Sequence, residues 1–249
     1  MLEVERFGEG PPILFVHGSV VGASLTWRKQ RELAERWELI LPNRPGFGGS
    51  PPLERNDFAV EAPMFAELLG DGAHLVGHSY GSVIALLAAA ERPEAVRSLT
   101  VSEPGALRLA EGRAEVDQMI ANGERLYSDP ESIPSEAFLR MFRSGAGSSH
   151  DTPDELPEWL ARGVELLKRE RPPWEAEIPL ERLAAAGFRV LVVSGDHSAV
   201  FEAICDSLAE SLSAERAVIP GRGHTIPSTG EPYNERLEAF LTATERERR

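Results

Sequence analysis

The stretch Gly77-His78-Ser79-Tyr80-Gly81 constrains this chain more than any other, because it joins a run that reads as a buried strand to a run that reads as a helix. Before it, Ala73, His74, Leu75 and Val76 form a short, mostly apolar segment bounded by Asp71-Gly72, which suits a parallel strand covered on both faces. After it, residues 82–90 are rich in Ala and Leu and meet no breaker until Pro93, which suits a helix. A serine on so abrupt a strand-to-helix turn projects from the end of a sheet with a helix N-terminus beneath it, the setting a nucleophilic hydroxyl needs. The flanking glycines supply room, since a side chain at either position would crowd the neighbouring strand and helix.

The same alternation runs along the chain. Residues 2–7 read as an edge strand and 13–16 as an apolar strand ending in His17-Gly18-Ser19-Val20. A helix is expected from Ser24, carrying Leu25, Trp27, Leu33 and Ala34, then a strand over 37–41, and a helix over 57–69 weakened by Pro63. Residues 96–101 form the next strand, closed by Ser102-Glu103-Pro104-Gly105. This order predicts an α/β fold with a mostly parallel central sheet, helices on both faces, and a ligand site at the carboxyl ends of the strands. From 106 to 186 the apolar residues recur at helical spacing (Val116, Met119, Ile120; Phe138, Leu139, Phe142; Trp159, Leu160, Val164, Leu167), so this stretch reads as a helical insertion with a Gly/Ser-rich loop over 144–153. The alternation resumes with a strand over 188–193 that ends in Ser194-Gly195-Asp196-His197, a helix over 200–212 and a strand over 216–219. A terminal helix starts near Tyr233, and 244–249 read as a frayed charged tail. The expected division is a core of 1–105 and 187–249, with 106–186 as a cap or lid.

Composition narrows the class of partner. Forty acidic against 26 basic residues give a net charge of -14, and no long basic run is present, so neither nucleic acid nor an anionic membrane is expected to bind. A small molecule is the expected partner. Lys29 and Lys168 are the lysines among many arginines, a bias that carries no chemistry. Cys205 is the single cysteine, which rules out an intramolecular disulfide, and its neighbours Phe201, Ile204 and Leu208 place it on a buried helix face. The sequence opens with no basic region leading into an apolar stretch, and no apolar run reaches about 18 residues, so a cytoplasmic protein is expected. The histidines are scattered and no glycine-rich phosphate loop or dinucleotide fingerprint occurs, so no metal or other cofactor is expected.

Four signatures fall in one order at strand ends: His17-Gly18, the turn Asn43-Arg44-Pro45-Gly46-Phe47-Gly48, the pentapeptide around Ser79, and Gly221-Arg222-Gly223-His224. On these the chain resembles the α/β-hydrolase fold family over nearly its full length, and a helical cap inserted after the strand that follows the serine is usual in that family. The resemblance implies that Ser79 is the nucleophile. Residue chemistry agrees, because serine needs a base and His224 ends the last expected strand in a loop loosened by Gly221 and Gly223. The oxyanion hole is expected from the backbone N–H of Tyr80 and one from the first strand-end loop, where position favours Ser19 with Val20 as its neighbouring alternative. His17 and His78 stand where the family often has structural histidines, and His74 and His150 have no motif around them.

The triad acid departs from the family pattern, since Ser198 stands where the carboxylate is common. Asp196 and Glu103 both remain open: Asp196 follows Gly195 in the expected loop, and Glu103 ends the strand after the serine's helix, a place some members use. Strand-end geometry and the longer side chain favour Glu103. The implied function is a serine hydrolase acting on a small or medium carboxylic ester through an acyl-enzyme, with the insertion's Met119, Met141, Phe138, Phe142 and Trp159 suited to an apolar group. A carbon-carbon bond hydrolase, a lactonase or a ligand-binding protein with little turnover are the alternatives.

Overall fold

The computed structural model describes residues 1–148 and 151–248. The strands are β1 (Val4–Phe7), β2 (Pro12–Val16), β3 (Glu38–Pro42), β4 (Ala73–His78), β5 (Val96–Ser102), β6 (Arg189–Ser194) and β7 (Glu215–Val218), the apolar runs being buried on both faces in the middle of the sheet and β1 and β7 half-exposed at its edges. They form one sheet in the order β1-β3-β2-β4-β5-β6-β7, parallel throughout except for β1, which pairs antiparallel with β3 at the edge. The helices are α1 (Ala23–Thr26), α2 (Phe58–Leu68), α3 (Tyr80–Glu91), α4 (Ala114–Leu126), α5 (Ser135–Ala146), α6 (Glu158–Lys168), α7 (Leu180–Ala185), α8 (Ala199–Leu212) and α9 (Glu231–Glu247).

Alternate strand residues serve opposite faces, as the two-residue period of a strand requires. Leu14, Val16 and Leu75 pack with α2, α3 and α8 on one side. Ile13, Phe15, Leu191 and Val193 pack with Trp27 and with Tyr233, Leu237 and Phe240 of α9 on the other. Cys205 is buried in α8 within the first of these clusters.

The helix expected from Ser24 is broken. Only Ala23–Thr26 is α-helical, and Gln30–Glu35 forms a separate, tighter helical turn. Tertiary packing overrides the helical spacing: Trp27 is seated against Phe15 with ring centroids 4.9 Å apart, and buried Gln30 donates to the Pro227 carbonyl at 2.9 Å and to Asn234 Oδ1 at 2.8 Å. Of the expected frayed tail, residues 244–247 instead form the last turn of α9, with Thr244 buried and Glu247 accepting from Arg189 at 3.0 Å, and Arg249 lies outside the described residues. Residues 144–146, expected in a loop, continue α5, which Gly147 ends in the left-handed conformation at φ 64°. His150 lies outside the described residues.

Between 106 and 186 the described residues carry α4 to α7 and no strand, with one isolated pairing of Ser148 and Gly223. α4, α5 and α6 pack around Phe138, Leu139, Val164 and Leu167, and Val20 of the loop after β2 joins that cluster. At the end of the stretch, Ala176 and Leu183 pack into the sheet-face core with α3 and α8. Among the described residues no helix is long and apolar enough to cross a membrane.

Gly81 has no room for a side chain, since a Cβ there would sit 2.2 Å from the Val16 carbonyl oxygen and 2.5 Å from that of His17. Gly81→Ala is expected to lower the unfolding free energy in urea by about 3 kcal/mol. A second expectation follows from three buried imidazoles. Burial brings His17 down to about 3, helped by Arg44, and brings His74 and His78 to about 4. The folded protein therefore keeps them neutral while the unfolded chain protonates them near pH 6.5. Stability is full above that pH and is lost as the pH falls toward 4, each histidine contributing up to about 1.4 kcal/mol per pH unit. In urea titrations from pH 7 to 4.5, His74→Gln should remove one such increment from the slope, and an unchanged slope would refute the assignment.

Candidate active site

Ser79 sits between β4 and α3 at φ 56°, ψ −121°, a strained conformation for a residue with a side chain. The surroundings hold it there. Its N–H donates to the Ser102 carbonyl at 2.9 Å, and Gly18 lies so close that an added Cβ would be 3.1 Å from Ser79 Cβ. The hydroxyl donates to His224 Nε2 at 2.8 Å.

His224 lies in the loop after β7 and is fixed on three sides. His78 Nε2–H donates to its carbonyl at 2.7 Å, the Phe201 ring lies over the imidazole at 4.6 Å, and Nδ1–H donates to Glu103 Oε2 at 2.6 Å. Glu103 ends β5 at φ 43° and is fully buried. Its Oε2 also accepts from His197 Nε2–H at 2.8 Å, and its Oε1 accepts from the Gly195 N–H at 2.8 Å. Burial alone would push the Glu103 carboxyl up, but the hydrogen bonds from His197 and His224 outweigh it and hold the group at about 2.

The two candidate acids are thus treated differently by the fold. Asp196 turns outward at φ 52° with an exposed side chain, and its N–H donates to Glu202 Oε1 at 3.0 Å; the structure does not bring it to His224. His197 is the residue that sequence reasoning missed. The signal was its place two residues after Gly195, in the loop where the family resemblance expects a carboxylate, but only carboxylates were weighed there.

Tyr80 is the first residue of α3, so its N–H has no carbonyl one turn back in the helix. Among the described residues the Ser19 and Val20 N–H groups have no backbone partner either, and Val20 is held at φ 76°. Ser79 and His224 open into a cavity of about 720 Å³ whose apolar wall includes Leu107, Met119, Leu126, Phe142, Trp174 and Phe201. Met141 also lines it. Phe138 does not, being enclosed among α4, α5 and α6, and Trp159 is 56% exposed at the surface.

Among the described residues, Glu103, His197 and His224 form the one group whose ligand atoms, all within 4.8 Å of one another, could meet on a cation. The scattered histidines of the sequence are therefore partly gathered by the fold. Those ligand atoms are already engaged with each other, since both imidazole N–H groups point at Glu103 Oε2.

Comparison with known proteins agrees with this architecture. Residues 13–239 match the model of the alpha/beta hydrolase family. The chain is 29% identical over 164 residues to a pimeloyl-[acyl-carrier protein] methyl ester esterase of Aeromonas salmonicida, covering 64% of this chain and 65% of that protein, just under two thirds of its length. It is 26% identical over 241 residues to a 2-(acetamidomethylene)succinate hydrolase of Mesorhizobium japonicum, covering 90% and 85% of the two chains. A thermophilic esterase from Thermogutta terrifontis shares the fold with a TM-score of 0.70 at 21% identity, over 98% of this chain and 93% of that one. With the family model spanning the sheet from β2 into α9, the chain belongs to the alpha/beta hydrolase family.

Proposed function

We propose that this protein is a serine hydrolase that cleaves a small or medium carboxylic ester through an acyl-enzyme. The observation that carries the reading is the unbroken hydrogen-bonded chain from Ser79 Oγ through His224 to Glu103, opening into an apolar cavity. Ser79 Oγ attacks the ester carbonyl carbon while its proton passes to His224 Nε2. Charge then develops on the carbonyl oxygen, where the N–H groups of Tyr80 and Ser19 receive it. The carbon-oxygen bond to the alcohol breaks as Nε2 returns the proton to the leaving oxygen. Water repeats the sequence in reverse: its proton goes to Nε2, the acid leaves, and Ser79 regains its hydrogen. Ester, water and these side chains account for every bond and proton, so the cycle calls on no cofactor.

Glu103 is the acid in this reading. It keeps the proton of His224 on Nδ1, so that Nε2 stays free to act as base, and it stabilises the imidazolium formed in transit. The helices α4, α5 and α6 are the cap: Met119, Leu126 and Phe142 from them form the wall against which an acyl or alcohol chain would lie. The relative named as a methyl ester esterase supports ester hydrolysis, and the one named as a 2-(acetamidomethylene)succinate hydrolase supports hydrolysis as the reaction class. The Glu103–His224 bond supports turnover over a role in ligand binding alone.

Hydrolysis of p-nitrophenyl acetate and butyrate tests the assignment. Ser79→Ala should fall to background, and Glu103→Gln, which turns an amide donor toward the Nδ1–H, should lose on the order of 10³–10⁴ in kcat. Asp196→Asn should stay within about twofold of wild type, as a surface substitution does. Because Glu103 is held at about 2, an acid limb in the pH–rate profile above about pH 4 does not report this carboxylate. An inactive wild type that also resists labelling by a fluorophosphonate would refute the reading.

A further inference from the structure

Arg44, in the turn after β3, is completely buried, and its guanidinium joins three separate segments. Nε and Nη2 donate to the Glu61 carboxylate of α2 at 2.7 and 2.9 Å. Nη1 donates to the Gly18 carbonyl at 3.0 Å, and Nη2 donates as well to Glu170 Oε1 at 2.7 Å. Glu170 follows α6 of the cap, and its second oxygen, Oε2, accepts the hydroxyl hydrogen of Ser19. The guanidinium also lies 4.3 Å from the centre of the Tyr80 ring. Both segments that carry the proposed oxyanion donors therefore rest on one cation, and a carboxylate of the cap completes the arrangement.

Charge balance does not require that carboxylate. Arg44 and Glu61 already neutralise each other in a bidentate pair. Glu170 adds a second buried negative charge, and burial keeps its carboxyl above the ordinary range despite Arg44 and Ser19. A buried ion pair is on balance a weak source of stability. What Glu170 supplies that Glu61 does not is a bond to Ser19.

The backbone repeats the connection. Gly163 of α6 packs so tightly on the loop after β2 that an added Cβ would be 1.9 Å from the Val20 carbonyl oxygen. Arg162 donates to the Gly46 carbonyl at 3.1 Å, and the Arg171 N–H donates to the Asn56 carbonyl at 2.8 Å. Val20 itself, at φ 76°, is buried among Leu126, Phe138, Leu160 and Val164. The loop that carries the Ser19 N–H is thus clamped between the sheet and the cap.

We propose that Glu170 is a positioning residue for the oxyanion hole: by holding the Ser19 side chain and Arg44 together, it fixes the Ser19 N–H toward the reacting carbonyl while the cap is seated. This rests on the serine-hydrolase reading above. Glu170 does not line the cavity into which Ser79 opens, so it acts on the charged intermediate and not on ground-state binding.

The test uses the full chain with Glu170→Gln, Ser19→Ala and the double variant, all checked for cooperative unfolding. Glu170→Gln keeps the shape but replaces one of two acceptor oxygens by a donor. It should lower kcat for p-nitrophenyl butyrate about 10- to 100-fold, part of the loss expected for deleting an oxyanion donor, with KM within about threefold. An alkyl trifluoromethyl ketone, whose adduct with Ser79 carries the oxyanion, should bind more weakly by the same factor. The matching alkyl methyl ketone should bind as to wild type. Ser19→Ala leaves Glu170 on Arg44 and should show the same pattern, and the double variant should be no worse than Glu170→Gln, because both remove one interaction. Unchanged kcat in Glu170→Gln, a trifluoromethyl ketone affinity that does not follow kcat, or losses that add in the double variant would each overturn the proposal. An active wild type with any of these results leaves the hydrolase reading standing, whereas an inactive wild type overturns both.

Discussion

Glu103 is a carboxylate with no exposed surface, and such a group stays ionised only where hydrogen-bond donors replace water. Here the donors come from the Gly195 N–H, His197 and His224, that is, from the loops after β6 and β7, while Glu103 itself ends β5. One side chain therefore ties three adjacent strand ends together. The orientation of His224 depends on this knot, and through His224 so does the direction in which the Ser79 hydroxyl points. The third donor lets the carboxylate tolerate burial without giving up its bond to His224.

Strain gathers at the same edge of the sheet. Among the described non-glycine residues with positive φ are Val20, Ser79, Glu103 and Asp196, each at the end of a different parallel strand. Conformations of this kind cost about 1–3 kcal/mol each and persist only where the surroundings over-determine them. The sheet beneath does so: β2, β4, β5 and β6 are apolar and covered on both faces, and Gly77 and Gly81 let β2, β4 and α3 approach within contacts no side chain could enter. The strained turns aim Ser79 and Glu103 at His224, and at Asp196 the same left-handed step aims the side chain outward.

That last detail explains what the sequence could reveal. Strands were legible because a run such as residues 13–16 or 190–193 is apolar at every position, and Ser79 and His224 were legible because local glycines mark their turns. The choice between Glu103 and Asp196 was not local: it turns on a backbone angle at Asp196 and on which imidazole lies across the strand ends. His197 was less legible still, since its partner lies 94 positions earlier. The helix from Ser24 failed for a similar reason, its residues being recruited by Phe15, Pro227 and Asn234 from distant segments. Arg44 belongs to a recognised turn, yet its partners Glu61 and Glu170 stand 17 and 126 positions away and share no pattern with it.

The Arg44 cluster raises an electrostatic question, because two buried carboxylates around one guanidinium leave an uncompensated charge. The surroundings of Glu170 bear on it. A polar hollow of about 830 Å³ lies beside the apolar cavity, and Tyr127 and Trp174, packed edge to face at 5.6 Å, belong to the walls of both. Glu170 borders this hollow among charges of both signs, with Arg55, Arg108, Lys168 and Arg169 on one hand and Glu54, Glu124, Glu131 and Glu175 on the other. Glu170 therefore lies at the margin of a polar hollow of mixed charge, while the Arg44–Glu61 pair stays in the closed interior. The aromatic pair lets an apolar chamber and a polar, charged chamber exist side by side. It separates the apolar lining beside Ser79 from the polar surroundings of Glu170, so the carboxylate that holds the Ser19 hydroxyl borders a polar hollow and not the apolar cavity.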